Sequence, residues 1–342
     1  MQTQEFFIQK CLELASKGKG NVSPNPMVGC VIVYNNEIIG EGYHEKYGFS
    51  HAEVNAIASV KDKSLLKKST LYVNLEPCAH FGKTAPCSNH IIEYKIPKVI
   101  IGCLDTFHKV SGKGIEKLQN AGLEVVLGVL EKESRELNTR FFTFQEKKRP
   151  YIILKWAESK DGFIAPHNQS EPFWMTSSES KKLVHKWRAE EDAILVGRIT
   201  AEKDNPSLTV REVKGNHPIR IVIDKDLKLS KELNLFNNKA RTIVFNHIKS
   251  DTQSNINYIK INFNNLIKNI LEELYKQNIQ SFIIEGGAIT LQSFIDVNMW
   301  DEARIFTTKE NLIHGLRAPK IKGNTREESE IGVDHLKILY ND

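Results

Sequence analysis

Four side chains in the N-terminal third of the chain are of the types that work together on a polar substrate. His51 and Glu53 stand in "SHAEVNAI", and Cys78 and Cys87 each follow a proline in "LEPCAHFGKTAPCSNH". Two thiolates and an imidazole are donors that zinc selects, and three protein ligands leave a fourth tetrahedral position open. An open position is the arrangement of a catalytic site rather than a structural one. Glu53 lies two residues beyond His51. Its carboxylate can take a proton from an attacking water and pass it to a leaving amine.

The prolines have a physical purpose. A proline fixes φ and removes a backbone donor, so the cysteine after it can open a helix or a turn. A helix N-terminus in turn favours the thiolate. His-x-Glu followed by Pro-Cys and a second cysteine is the pattern of zinc-dependent nucleobase deaminases. One feature departs from it: eight residues, "AHFGKTAP", separate the cysteines. They are expected to form a loop beside the metal where substrate would lie. A structural zinc site completed by His44, His80 or His90 is the plainer alternative. Cys11, Cys30 and Cys103 lie in apolar runs and read as core residues.

The elements that must position these groups follow from the pattern of the chain. Strands are expected over Val28–Val33 and Ile38–Tyr43, joined by the turn formers Asn35-Asn36. A helix follows from about Ala52 to Val60, and strand "TLYVNL" runs straight into the cysteine motif. A helix after Cys87, strand "KVIIGCL", a helix over Ile115–Asn120 and strand "LEVVLG" complete a sheet covered by helices. The charged stretch "FQEKKRPYI" breaks the pattern, and a domain boundary is expected near Lys147. The second half restarts with "YIILKWA", "AILVG", "IRIVID", "ARTIVFN" and "SFIIEGG" as strands, with helices near 178–190 and 265–277. In "FIIEGGAITLQSFI" two glycines stand between a strand and a helix. That arrangement lets backbone amides approach a phosphate, although a tight turn alone would account for it.

Composition narrows the class. The chain has 342 residues, enough for about two domains, with 26% charged residues and a net charge of +5. Lys and Arg are dispersed, with no basic block of the kind that binds nucleic acid. The N-terminal segment reads as an amphipathic helix rather than a signal peptide, and no apolar run reaches the roughly 20 residues that span a bilayer. The five cysteines are an odd number, which suits a reduced, cytoplasmic protein better than a disulfide framework.

Longer stretches carry a resemblance. "NPMVGCVIV", "GYHEKYGFSHAEVNAI", "LEPCAHFGKTAPC" and "GKGIEKLQNAGLEV" resemble the deaminase half of the bifunctional riboflavin-biosynthesis deaminase/reductase family. "LKWAESKDGFIA", "WMTSSESKKLVHKWRAEEDAILVGRITAEKDNPSLTVR" and "IIEGGAITLQSFI" resemble its reductase half. The resemblance covers nearly the whole chain and becomes indistinct after about Thr308. It implies a cytidine-deaminase-like α/β/α sandwich over residues 1–146 and a dihydrofolate-reductase-like α/β domain over 147–342. The substrate it implies is 2,5-diamino-6-ribosylamino-4(3H)-pyrimidinone 5′-phosphate. This pyrimidine loses a ring amine as ammonia, and NADPH then reduces its ribosyl group to a ribityl chain.

By the same resemblance, His51, Cys78 and Cys87 hold one zinc ion and Glu53 shuttles the proton. Asn25, His44, Lys83 and Asp105 would hold the deaminase substrate. Arg188, Leu208, Arg211 and Glu285 would hold the reductase substrate. Trp174, Thr200, Asp204 and the run Gly287, Ala288, Ile289 and Thr290 would hold NADPH. The chain departs from the family at Glu158, where a small residue is common, at Pro172, where a serine is common, and in the turn after Asp105. The partners expected are a phosphorylated pyrimidine and further copies of the chain, with neither nucleic acid nor membrane. A nucleic-acid editing deaminase with an accessory domain is the alternative, and a non-catalytic zinc-stabilised binding protein is a second.

Overall fold

The computed structural model describes residues 2–79, 85–107, 110–167 and 173–341. The chain forms two units, Met1–Lys148 and Arg149–Asp342. Unit 1 runs α1 (Gln4–Ser16), β1 (Gly29–Tyr34), β2 (Glu37–Tyr43), α2 (Ala52–Ser59), β3 (Thr70–Leu75), α3 (Cys87–Glu93), β4 (Lys98–Cys103), α4 (Lys113–Asn120), β5 (Glu124–Leu127), α5 (Glu131–Leu137) and α6 (Thr139–Lys147). Its sheet has the order β2-β1-β3-β4-β5. β1 is antiparallel to β2 and β3, and β3, β4 and β5 are parallel.

The hairpin β1–β2 turns at Asn35 and Asn36, both left-handed with φ of 48° and 65°. Two successive left-handed residues match the strand twist, and asparagine tolerates that conformation. β1 reads as a continuous apolar run because both of its faces are covered. Cys30 and Ile32 pack with Ala56, Ile57 and Ile91 on one face. Val31 and Val33 pack with Phe7, Ile8 and Cys11 of α1 on the other. The result is the expected three-layer sandwich, with β3 at its centre delivering the cysteine motif.

Unit 2 runs β6 (Tyr151–Glu158), β7 (Phe163–Ala165), α7 (Ser178–Glu190), β8 (Ala193–Gly197), α8 (Arg198–Asp204), β9 (Ile219–Ile223), β10 (Thr242–Asn246), β11 (Asp251–Gln253), β12 (Ile256–Lys260), α9 (Leu266–Lys276), β13 (Ser281–Gly286), α10 (Ala288–Asp296), β14 (Glu302–Thr307), β15 (Leu316–Arg317), β16 (Asn324–Ile331) and β17 (Asp334–Tyr340). The large sheet has the order β11-β12-β10-β9-β8-β13-β6-β14-β17-β16. From β12 to β14 its strands are parallel, and β17 and β16 close one end as an antiparallel hairpin. α9 and α10 pack on one face through Ile270, Leu274, Leu291 and Phe294. α7 and α8 pack on the other through Val184, Trp187 and Ala201. Ligands of such sheets bind beyond the carboxyl ends of the parallel strands, and β8, β13 and β6 all end together there.

Two regions differ from the sequence reading. Residues 131–143, for which no element was expected, and the first part of the charged break at 144–152 form α5 and α6. In "TRFFTFQEK" Phe141, Phe142 and Phe144 are all buried, but adjacent aromatics give no clear helical period and have modest helix propensity. The strand "NTREESEI" of β16 is polar and almost wholly exposed. It is held by backbone pairing to β17, which leaves no apolar alternation to read.

Each unit has its own sheet and its own cores on both faces. A chain severed between Lys148 and Arg149 is therefore expected to give two soluble fragments, the first retaining metal and deaminase activity. Co-expressed fragments that are both insoluble would refute that independence.

Candidate active sites

The first site is assembled by the ends of three elements. His51 is the N-cap of α2, with φ −75° and ψ 166°, and Glu53 lies in the first turn of that helix. Cys78 follows β3 across Glu76 and Pro77. Cys87 opens α3, with Pro86 as its N-cap. Cys78 lies in irregular chain rather than at a helix start, so the two prolines serve different local structures.

His51 Nδ1 lies 3.6 Å from Cys78 Sγ and 3.3 Å from Cys87 Sγ. The three donor atoms all fall within 4.8 Å of one another. A tetrahedral zinc with sulfur at about 2.3 Å and nitrogen at about 2.0–2.1 Å sets such donors roughly 3.5 Å apart. The donor set therefore fits zinc in both chemistry and spacing. Among the described residues no fourth His, Cys, Asp or Glu joins the cluster. His44 is occupied elsewhere, and His90 sits 3.8 Å from Glu93. His80 lies outside the described residues.

The electrostatics are those of a close donor set in which Cys87 is buried and His51 and Cys78 are half-buried. A hydrogen bond from the Cys87 thiol holds Cys78 down at about 4, against burial and with help from His51. Cys87 is pushed well above the usual thiol range by that same bond and by burial. Glu53 is only 3% exposed. Burial, and then the charge of Cys78, raises its carboxyl above the ordinary value.

Asn25 and His44 come together beside this cluster. Asn25 Nδ2 donates to His44 Nε2 at 3.1 Å, and His44 Nδ1 donates to the Ser50 carbonyl at 3.0 Å. One nitrogen accepts and the other donates, so the ring is neutral, and burial lowers its pKa in the same sense. Its ring meets that of His51 edge-on, with centroids 5.3 Å apart. Asp105 is 6% exposed. Burial pushes its carboxyl up to about 7 despite the Phe107 amide, with the charges of Glu76 and Cys78 adding to the rise. Lys83 lies outside the described residues. Glu76, which the sequence reading passed over, is the buried residue closest in the chain to Cys78 among those that bond the Asp105 segment.

In unit 2, Arg188 donates to Glu285 through two bonds, Nε to Oε1 at 3.0 Å and Nη2 to Oε2 at 2.7 Å. Burial would raise the Glu285 carboxyl, but Arg188 and Lys155 outweigh it and hold it at about 2. Lys155 was not singled out in the sequence. Its signal is one lysine inside the apolar strand "YIILKWA". Burial lowers its pKa, against the opposing charge of Glu285. Burial, Arg188 and Arg211 push His185 down to about 4, and its Nδ1 accepts the Arg211 amide at 3.1 Å. Leu208 is 2% exposed with φ 51°. Its side chain belongs to the core, which leaves its backbone for a ligand.

The glycine motif forms a cradle at the ends of β8 and β13. Gly287 is the N-cap of α10, and no side chain caps that helix. The first-turn positions Ala288, Ile289 and Thr290 thus present backbone amides. A Cβ on Gly287 would lie 3.0 Å from Thr200 Oγ1, and one on Gly197 would lie 2.5 Å from Thr290 Oγ1. Bare backbone beside an uncapped helix N-terminus fits a dinucleotide pyrophosphate. Asp204 ends α8. Ile289 is 77% and Trp174 68% exposed, large apolar surfaces close in sequence to this motif and to α7. Glu158 accepts from Trp156 Nε1 at 2.7 Å, and Pro172 lies outside the described residues.

Comparison with known proteins identifies both units. Residues 1–103 match the cytidine and deoxycytidylate deaminase zinc-binding region, and residues 150–308 match the RibD C-terminal domain. The riboflavin biosynthesis protein RibD of Aquifex aeolicus is 42% identical over 96% of this chain and 90% of its own length. That of Actinobacillus pleuropneumoniae is 36% identical over 97% and 88%. A crystal structure of the diaminohydroxyphosphoribosylaminopyrimidine deaminase/5-amino-6-(5-phosphoribosylamino)uracil reductase of Thermotoga maritima superposes with a TM-score of 0.91, at 36% identity and 98% coverage of both chains. With a metal-donor cluster in one unit and a glycine cradle at a helix start in the other, this chain belongs to the bifunctional RibD family of riboflavin-biosynthesis deaminase/reductases.

Proposed function

We propose that the two units act in turn on one phosphorylated pyrimidine, 2,5-diamino-6-ribosylamino-4(3H)-pyrimidinone 5′-phosphate. The first removes a ring amine by hydrolysis, and the second reduces the ribosyl group. The observation that carries this reading is the cluster of His51, Cys78 and Cys87 with Glu53 buried against it. Zinc is the cofactor of the first unit, where it supplies a Lewis acid that makes water nucleophilic near neutral pH.

Glu53 accepts the proton of that water and returns it to the departing ammonia. A carboxyl raised by burial suits both halves of that transfer. Neutral His44, held by Asn25 and the Ser50 carbonyl, orients the substrate, with Asp105 and Lys83 completing its binding. In the second unit NADPH would supply two electrons as hydride, and the amides of residues 287–290 would hold its pyrophosphate. Trp174, Thr200 and Asp204 complete that cofactor's binding. The reduction also consumes a proton, which Lys155 is placed to give beside Glu285. Arg188 spends two donors on Glu285, so Arg211 takes the larger share of the substrate phosphate, with the backbone of Leu208 beside it.

Nucleic-acid editing is not favoured, because the accessory unit is a reductase domain rather than a binding module. No helix among the described residues is long and apolar enough to cross a membrane. Work in the cytoplasm, supported by five cysteines of which none forms a disulfide, and assembly as a homo-oligomer belong to the same proposal.

The full chain should carry one zinc ion, and Cys87→Ser should lose most of it by elemental analysis. Full retention would remove Cys87 from the site. Glu53→Gln preserves side-chain shape and zinc but should slow deamination by at least about 10²–10⁴-fold, with reduction of deaminated substrate unchanged. Deamination within a few-fold of the parent would exclude Glu53 as the proton carrier. Arg188→Met should lower the reductase kcat/KM by at least about tenfold, since it strips a buried carboxylate of its bidentate partner. Deamination measured on the same preparation should be unaffected. Equal loss of both activities would make Arg188 a folding residue only.

A further inference from the structure

We infer that Glu76 is a positioning residue of the deaminase, fixing the Asp105 segment and the start of α4 relative to the Cys78 ligand. The inference rests on the reading of Asp105 as a substrate-binding residue. Glu76 directly follows the last residue of the central strand of unit 1 and is 4% exposed. Its own amide donates to the Cys103 carbonyl at 3.0 Å. Its carboxylate then accepts four backbone amides. Oε2 takes those of Asp105 at 3.3 Å and Gly112 at 3.0 Å. Oε1 takes those of Gly114 at 2.8 Å and Ile115 at 3.2 Å.

These four donors come from the two ends of one stretch of chain. Asp105 follows β4, whereas Gly114 and Ile115 lie in the first turn of α4. The N-cap of that helix is Gly112, which has no side chain to offer. Glu76 therefore does from another strand what a capping side chain would do locally, and its negative charge suits the helix N-terminus. Contact is close as well as polar, because a Cβ on Gly114 would run into the Pro77 carbonyl and Glu76 Oε1. A buried carboxylate is costly unless its lone pairs are filled, and here backbone amides fill them. Only Pro77 separates this anchor from Cys78. One side chain thus sets the distance between a metal ligand and Asp105 while touching neither metal nor substrate.

Glu76→Gln tests this in the full, zinc-loaded chain. The substitution replaces one acceptor oxygen by a donor that faces two amides, so two of the four anchoring bonds are lost. Deaminase KM is expected to rise about tenfold or more with kcat within about threefold. Zinc content and reductase rates should stay parental. A purely structural loss would instead lower kcat through the fraction of folded enzyme and leave KM alone. Asp105→Asn should raise KM by itself, and adding Glu76→Gln to it should raise KM little further, because a positioning residue acts through the group it positions. Additive effects on KM, loss of zinc, or a parental KM in Glu76→Gln would overturn the inference. A parental KM in Asp105→Asn would instead overturn the substrate role of Asp105, and the inference with it. Should Glu76→Gln fail to accumulate, Glu76→Asp keeps the charge but withdraws it by one methylene. It is expected to show the same KM-selective defect in smaller measure, and a parental KM there would count equally against the role.

Discussion

Two thiols and an imidazole within a few ångströms of one another, one of them buried and two half-buried, are tolerable only if a cation joins them or if protons are kept to separate them. In unit 1 the proton solution is visible in the opposite fates of the two cysteines, one thiol held down at about 4 and the other pushed up. Such a split is unstable against a metal that lets both ionise. The architecture around the cluster follows from this demand. β3 must be central, so that its end lies inside the protein. α2 and α3 must begin where the ligands stand, so that His51 and Cys87 are held at helix starts. The hairpin β1–β2 returns the chain so that His44 meets His51. Glu53 inherits its raised carboxyl from the same burial.

Unit 2 meets an equivalent demand without a metal. Glu285, Arg188 and Lys155 bring opposite charges together, with two hydrogen bonds fixing Arg188 on Glu285. Because the Glu285 carboxyl is held at about 2, below its ordinary value, it contributes stability that is fully present above the usual carboxylate range. That contribution is lost as pH falls through the ordinary value toward about 2. His185 has the complementary sign. Its folded pKa, pushed down to about 4, favours the neutral ring, so acid that protonates the unfolded histidine first also draws the unit open. Both groups thus oppose folding in acid, and neither does so near neutrality, where an enzyme using a reduced nicotinamide must work.

How much of this could be read beforehand depended on whether a residue's type alone betrays its purpose. Ligands do so: His51, Cys78 and Cys87 are rare types at telling spacing, and the structure brings them together as expected. The strands β1, β3 and β8 were legible because a sheet covered on both faces demands unbroken apolar runs. α6 was not, since its phenylalanines give no helical period, and β16 was not, since an exposed edge is held by backbone bonds that any sequence can make. Lys155 and Glu76 were missed for a different reason. Each is a single charge at the end of, or inside, an apolar strand, and its meaning lies in partners far along the chain. Leu208 shows the converse, a position matched by motif whose side chain turns out to be core.

That contrast bears on where specificity is held in this fold. Metal ligands and glycines are constrained by local chemistry, so a short motif is enough to find them. Groups that orient substrate are constrained by distances between elements, and those distances are set by buried polar anchors. A carboxylate that gathers four amides is suited to this use, because backbone donors cannot be shifted by a change of side chain elsewhere. The loop it holds is then free to vary in sequence while its anchoring points stay fixed. After the turn that follows Asp105, Gly112, Gly114 and Ile115 present their amides to Glu76. An anchor made of backbone bonds lets the chemistry of a loop change while its attachment points hold, so the contacts around a reaction can drift without altering it.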